Sequence, residues 1–319
     1  MRYVKFSSIY NADDTSYRTQ FQDVINNPKE RWIITEKIDG CNFSIIVDDK
    51  GNYQFGSRSE PLDSSNTTAL YGLLSDISIF SETIAALKRA INSYYFGTDV
   101  TQLVIYGEWF GPGIMRRIDY GDKKQFRFFA LRKINYRDQC SRLSYQDLTQ
   151  FLHDFNLEKF AAPKVAELAT FDDALRFNST FDTRIGASGQ QAEGFIITPK
   201  FAKTNFAVKV KSSQFLETRN KPKISTAISR SQLAVDLHQA FLQYITLNRM
   251  LSVFSKFGEP NASDAGRYIK AFVEDAFIDF CKDYPQYDTI EDKAEQKYVI
   301  NAGSEPFKLF KQALSSYSK

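Results

Sequence analysis

Apolar positions come in short blocks through the first two thirds of the chain and shift to a three-and-four rhythm in the last third. The blocks W-I-I-T-E and N-F-S-I-I-V, at residues 32–36 and 42–47, predict two strands, because short apolar runs rich in β-branched and aromatic residues suit a buried sheet. D-D-K-G-N follows as a turn, and Y-Q-F-G-S-R returns as the partner strand. Residues 81–95 place Ile84, Leu87, Lys88 and Ile91 at helical spacing, and Gly97 supplies a stop. T-Q-L-V-I-Y-G-E-W-F and K-Q-F-R-F-F-A-L-R-K predict further strands. SYQDLTQFLHDF and TFDDALRFN predict short helices capped by Ser144 and Thr170. A-E-G-F-I-I-T-P and N-F-A-V-K-V-K predict two closing strands, the first ended by Thr198–Pro199.

After residue 217 the pattern changes. T-R-N-K-P-K-I-S-T-A-I-S-R-S is polar, basic and irregular, and predicts a linker whose Arg219, Lys221, Lys223 and Arg230 could touch phosphates. Leu237, Phe241, Tyr244, Leu247, Leu251 and Phe254 then form one helical stripe. Ile269, Phe272, Val273, Ala276, Phe277 and Phe280 form a second, and Phe307, Phe310 and Leu314 a third. The expected fold class is α+β over residues 1–232, followed by a small all-α domain over residues 233–319.

The totals narrow the function by exclusion. A net charge of +3 does not announce a nucleic-acid binder, so any basic surface must be local. Cys41, Cys140 and Cys281 are far apart and form no C-x-x-C pair, and there are only two histidines, His153 and His238. Neither a disulfide framework nor a zinc or histidine-rich site is indicated. The N-terminus carries no apolar signal region, and no stretch approaches the ~20 apolar residues of a membrane span. The expectation is a soluble, intracellular, cytoplasmic protein with no membrane partner; its source, cellular or viral, stays open.

The candidate chemistry centres on Lys37, in T-E-K-I-D-G. A lysine between strand-like runs commonly decorates a surface, but a buried one beside other cations can be a nucleophile toward a phosphorylated nucleotide. Such chemistry needs cations around the phosphate. Lys209 and Lys211 alternate in F-A-V-K-V-K, so both point to one strand face and leave Val208 and Val210 on the other. Glu193 precedes a glycine at the start of an apolar strand and Glu108 ends another, so each could be a strand-end carboxylate facing water or could hold a ribose hydroxyl or a magnesium ion. Arg58, in Q-F-G-S-R-S, suits an exposed charge or a phosphate clamp. Phe128 and Phe129 are adjacent on a strand and face opposite sides, one for the core and the other free to stack on a base.

The order of these elements, K-I-D-G, S-R, G-E-W-F-G, R-F-F-A, E-G-F-I-I and K-V-K, resembles the covalent nucleotidyltransferase superfamily of ATP-dependent ligases and mRNA capping enzymes. E-K-I-D-G-C-N-F-S-I, A-V-K-V-K-S-S-Q-F-L-E and Y-I-T-L-N-R-M-L-S-V-F-S-K more closely resemble the RNA ligase 2 family, over nearly the whole chain. The resemblance implies an adenylyltransferase domain of antiparallel sheets with flanking helices, and an ATP-dependent RNA ligase acting with Mg2+ (or Mn2+). Its partner would be RNA, in particular a nicked duplex, and the protein a monomer. By the same resemblance Lys37 would carry AMP, Glu36 and Asp39 would shape the nucleotide pocket, and Asn42 would contact the AMP phosphate. Arg58 would bind the nucleotide or the RNA end, Glu108 the ribose, and Phe129 the adenine. Glu193 would act with magnesium, and Lys209 and Lys211 would neutralise phosphate. Two positions depart from the family pattern: Asp39 stands in place of a histidine, and Ala130 in place of an aspartate. A DNA ligase or capping guanylyltransferase usually adds a small β-barrel where this chain reads helical. A non-catalytic RNA-binding protein would not need to keep Lys37.

Overall fold

The strands flanking K-I-D-G belong to different sheets, while Y-Q-F-G returns beside N-F-S-I-I-V as expected. The computed structural model describes all residues except 96, 116, 217–229, 259 and 317–319. In chain order the strands are β1 (Tyr10–Asn11), β2 (Trp32–Glu36), β3 (Cys41–Asp48), β4 (Tyr53–Gly56) and β5 (Val100–Phe110). They continue as β6 (Gln125–Asn135), β7 (Cys140–Arg142), β8 (Lys164–Leu168), β9 (Gly194–Pro199) and β10 (Val208–Lys211). One sheet has the order β1-β10-β9-β2-β8 and the other β4-β3-β5-β6-β7. All pairings are antiparallel except β1 with β10. The described residues divide into two compact units, Met1–Gln214 and Phe215–Lys319. The boundary expected at residues 232 and 233 lies within a helix, Arg230–Leu242.

In the first sheet every residue of β2 is buried. Trp32 and Ile34 pack with Phe195, Ile197, Phe206 and Val208 under Tyr17 and Phe171, so Val208 serves the core as the alternation predicts. In the second sheet, Phe43, Phe126 and Phe128 cluster with Phe80 on one face. The helix Ser81–Ser93 buries Ile84, Leu87 and Ile91 and packs on β3 and β5. Ile46, Val104, Tyr106, Ala130 and Ile134 make the core of the other face, covered by Tyr3, Val4 and Phe6. Residues 69–93 are by length and composition apolar enough to cross a membrane. Their backbone is no continuous helix, because Leu70, Tyr71 and Gly72 have positive φ and Asp76 is non-helical. Ser144 and Thr170 cap the helices Tyr145–Asp154 and Phe171–Leu175 as expected, the first through a reciprocal bond with Asp147.

The second unit is helical among its described residues. The stripe from Leu237 to Phe254 is split between two helices, Arg230–Leu242 and Leu247–Phe257, because Thr246 caps the second by accepting from the Arg249 amide. Helix Ala265–Asp283 carries the second stripe and Glu305–Ser315 the third. Helix Lys293–Val299 was not predicted. Arg249, 1% exposed, bonds Asp275 and Asp279 and ties Leu247–Phe257 to Ala265–Asp283. The predicted linker residues Arg219, Lys221 and Lys223 lie outside the described residues, as does the Arg230 side chain.

Gly194 brings β9, the central strand of the first sheet, close against β10. Its φ is +144°, and a Cβ there would lie 2.0 Å from the Val210 carbonyl oxygen. Gly194→Ala should destabilise the first unit by about 3 kcal/mol or more. Denaturant unfolding followed by tryptophan fluorescence checks this, because both tryptophans, Trp32 and Trp109, fall within residues 1–214.

Candidate active site

Four residues, Lys37 to Gly40, carry the chain from the end of β2 in one sheet to the start of β3 in the other. The Lys37 amide donates to the Gly194 carbonyl at 2.9 Å, which fixes its backbone against the start of β9. Its Nζ donates to Glu193 Oε2 at 2.5 Å, and Lys211 Nζ reaches Glu193 Oε1 at 3.2 Å. The register explains this convergence, since Gly194 pairs with Lys211 and Phe195 with Glu36. The Glu193 side chain is 2% exposed, that of Lys37 21%. The lysine thus stands at the solvent side of a buried carboxylate. Burial alone would oppose ionising Glu193, but the charges of Lys37, Lys211 and Arg117 outweigh it and pull its pKa down to about 2.

Asp39 follows two residues after Lys37 in the same crossing. Arg117 grips both its carboxylate oxygens, with Nε donating to Oδ2 at 2.9 Å. The Asp39 amide donates to the Tyr120 hydroxyl at 2.9 Å. Arg117 escaped the sequence reading; its signal was an arginine soon after G-P-G, in the connection from β5 to β6. Gly40 is a glycine for steric reasons, because a Cβ would lie 2.4 Å from the Trp109 carbonyl oxygen. Glu36 is turned away into the protein. Its oxygens accept from Thr183 Oγ1 at 2.5 Å and the Arg184 amide at 2.7 Å, so it braces the segment beside β9. Burial raises its pKa despite those two bonds.

The second sheet brings Glu108 within range of these charges. Asn42, Glu108 and Arg127 stand in register across β3, β5 and β6. Asn42 Oδ1 is buried with no hydrogen-bond partner, an acceptor available to a ligand donor. Burial, reinforced by Glu193 and Asp39 and opposed by Lys37 and Arg58, pushes Glu108 up to about 8. Arg58, just beyond β4, donates to Ser8 Oγ at 3.3 Å. Phe128 is 1% exposed and packs with Phe43 and Phe126 on the core face. Tyr106 pairs with Ala130 and Gly107 with Phe128, so Phe129 is the extra residue of a bulge. Phe129 packs edge-on against Phe6 at 5.1 Å, within the cluster of Val104 and Tyr106. Alternation along β5 puts Glu108 on that same face. Lys209 shares the Lys211 face of β10, opposite Ile196.

The structure therefore joins Lys37, Glu193 and Lys211 by direct contact and sets Glu108 within reach of the charges of Lys37, Glu193, Asp39 and Arg58. Both Glu193 oxygens are engaged by lysines and both Asp39 oxygens by Arg117. Among the described residues no group of three or more His, Cys, Asp or Glu side chains could hold a metal ion. A divalent ion fits the Glu193 carboxylate only once Lys37 has left it.

The two acids pull stability in opposite pH directions. Glu193, depressed when folded, stabilises above its unfolded value near 4.5, and loses this as pH falls toward about 2. Glu108, raised when folded, keeps its proton where the unfolded chain has lost it, so its contribution to stability falls as pH rises from near 4.5 through about 8. Glu108→Gln should flatten the decline in first-unit stability between these pH values, read by tryptophan fluorescence in a denaturant series.

Residues 30–211, more than half of the chain, match the RNA ligase family, and residues 229–303 match the T4 RNA ligase 2 C-terminal family. Among solved structures, a mutant Naegleria gruberi RNA ligase with ATP and Mn is similar at 14% identity and a TM-score of 0.49, covering 67% of this chain and 58% of that one. The same organism's ligase with PPi is similar at 16% identity and a TM-score of 0.48, covering 67% and 58%. This chain thus spans less than two thirds of those ligases, and the likeness is too distant to carry an inference about activity. The family match rests on the sequence itself and takes in every element that builds the Lys37 site: the chain belongs to the RNA ligase family.

Proposed function

We propose that the chain is an ATP-dependent RNA ligase that seals 3′-hydroxyl/5′-phosphate breaks, with nicked duplex RNA as its substrate. The observation that carries this reading is Lys37 Nζ, partly open to solvent and aimed by a buried carboxylate whose second oxygen holds Lys211. In the first step Nζ, having lost a proton, attacks the α-phosphorus of ATP and pyrophosphate leaves. An oxygen of the RNA 5′-phosphate then attacks the lysyl-AMP phosphorus and frees the amine. Finally the 3′-hydroxyl attacks the activated 5′-phosphorus, giving up its proton as AMP departs.

The chain's residues position these groups and balance their charge. Glu193 orients Nζ before attack. Lys209 and Lys211, on one face of β10, offset phosphate charge. Glu108, held near neutrality at pH 7–8, can donate to or accept from a ribose hydroxyl. Asn42 presents its unpaired acceptor and Phe129 a ring on the same sheet face. Arg58 meets the nucleotide or the RNA end. Magnesium or manganese, taken by Glu193 once Lys37 is engaged, would offset the charge of the phosphates. The reading includes a monomer in an intracellular, cytoplasmic setting, in keeping with three free cysteines.

Incubation with labelled ATP should transfer label to the wild-type protein and none to Lys37→Ala. Label from GTP in its place would move the chain to the capping class. Lys211→Ala should slow self-adenylation by about a hundredfold, the scale of losing one transition-state charge contact. A sealing assay should show joining of nicked duplexes with RNA at the 3′-hydroxyl side and none with Lys37→Ala. Self-adenylation without sealing of any nick would overturn the substrate while keeping the first step.

A further inference from the structure

Away from Lys37, two buried arginines face each other with no acid between them. Arg132 on β6 and Arg142 on β7 are cross-strand partners, 4% and 8% exposed. Like charges directly opposite on a sheet repel, and burial strengthens the repulsion. Arg132 is satisfied only by neutral groups: the Lys5 carbonyl at 3.3 Å, Ser7 Oγ at 3.0 Å and Asn205 Oδ1 at 2.9 Å. Its guanidinium also lies over the Phe6 and Tyr106 rings, and its buried Nε has no partner. The Arg142 guanidinium makes no hydrogen bond or ion pair among the described residues. Burying a cation without a counter-ion is costly, so a neighbouring pair of them favours an anion between them.

We propose that Arg142 and Arg132 form an oxyanion site that takes one phosphate group, separate from the Lys37 cluster. Two guanidinium forks side by side suit the several oxygens of a phosphate better than a single carboxylate. Burial first, then Arg132, depresses Arg142 to about 10, which agrees with a site built around a missing negative charge. Arg2 adds a third positive charge nearby: burial raises the Cys140 thiol on β7, and Arg132 and Arg2 both oppose that shift. The 8% opening at Arg142 gives the anion its entry. Along β6, Arg132 lies five residues beyond Arg127, the neighbour of Glu108, or about 17 Å. On the function proposed above, that spacing suits a backbone phosphate of the bound RNA a few nucleotides from the reacting end; inorganic phosphate offers the same chemistry.

The test compares wild type, Arg142→Gln and Arg142→Lys, the last keeping the charge without the fork. Inorganic phosphate against chloride at equal ionic strength should raise the denaturation midpoint of the wild type, read by tryptophan fluorescence, and raise it less in Arg142→Gln. Arg142→Lys should fall between them. Binding of a nicked RNA duplex should weaken about tenfold in Arg142→Gln, with a salt slope smaller by about one, while self-adenylation is unchanged. Selective protection by phosphate with unchanged RNA affinity supports the site and identifies its occupant as the free ion. Equal phosphate protection of all three proteins with unchanged RNA affinity overturns the proposal. The phosphate comparison needs no ATP, so failure of the ligase reading would show separately as absent self-adenylation.

Discussion

The structure depends on one buried carboxylate shared by two lysines. Glu193 is almost sealed from water, and an ionised group there would cost several kcal/mol if left alone. Lys37 and Lys211 take one oxygen each, and Arg117 adds charge from farther out. The strands that deliver these residues must therefore end together. β9 begins beside Glu193, β10 ends at Lys211, and β2 ends one residue before Lys37. The chain must also leave the first sheet at once, because Lys37 is already its first residue beyond β2.

That exit sets the next constraint. Gly40 passes so close to β5 that no side chain fits, and Gly194 does the same against β10. The two glycines bring the sheets' inner ends near enough for Glu108, on the second sheet, to feel Lys37, Glu193 and Asp39, all attached to the first or to the crossing. The perturbation of Glu108 is thus a product of assembly. Nothing local to β5 would raise a carboxyl there; burial and two acids from distant sequence do so together.

Much of the fold was legible because it is locally specified. The long strands β5 and β6 alternate clearly, Ser144 and Thr170 announce helices, and the apolar stripes of the last third mark packed helical faces. Short elements were missed where the signal was thin: β1 has two residues, β7 three, and the helix Lys293–Val299 seven. The stripe through Tyr244 read as continuous because a capping threonine leaves the apolar rhythm intact while breaking the helix. Arg117 carried only its place soon after G-P-G as a signal, since an arginine in a connection acquires its role from the aspartate it meets 78 residues away.

The sequence by itself determined which residues could do chemistry, because lysine, carboxylate and their spacing along strands are local properties. It placed Lys209 and Lys211 on one strand face and left either Phe128 or Phe129 for a ligand. Only the tertiary structure decided that Phe129 is the one on the Glu108 face, through a bulge whose existence depends on pairing with β5. It also decided that Glu36 braces a wall and that Glu193 meets two lysines. It alone brought Arg132 opposite Arg142. Each of these follows from register between distant strands, and register is fixed by how whole faces pack, a quantity that no short window of sequence contains.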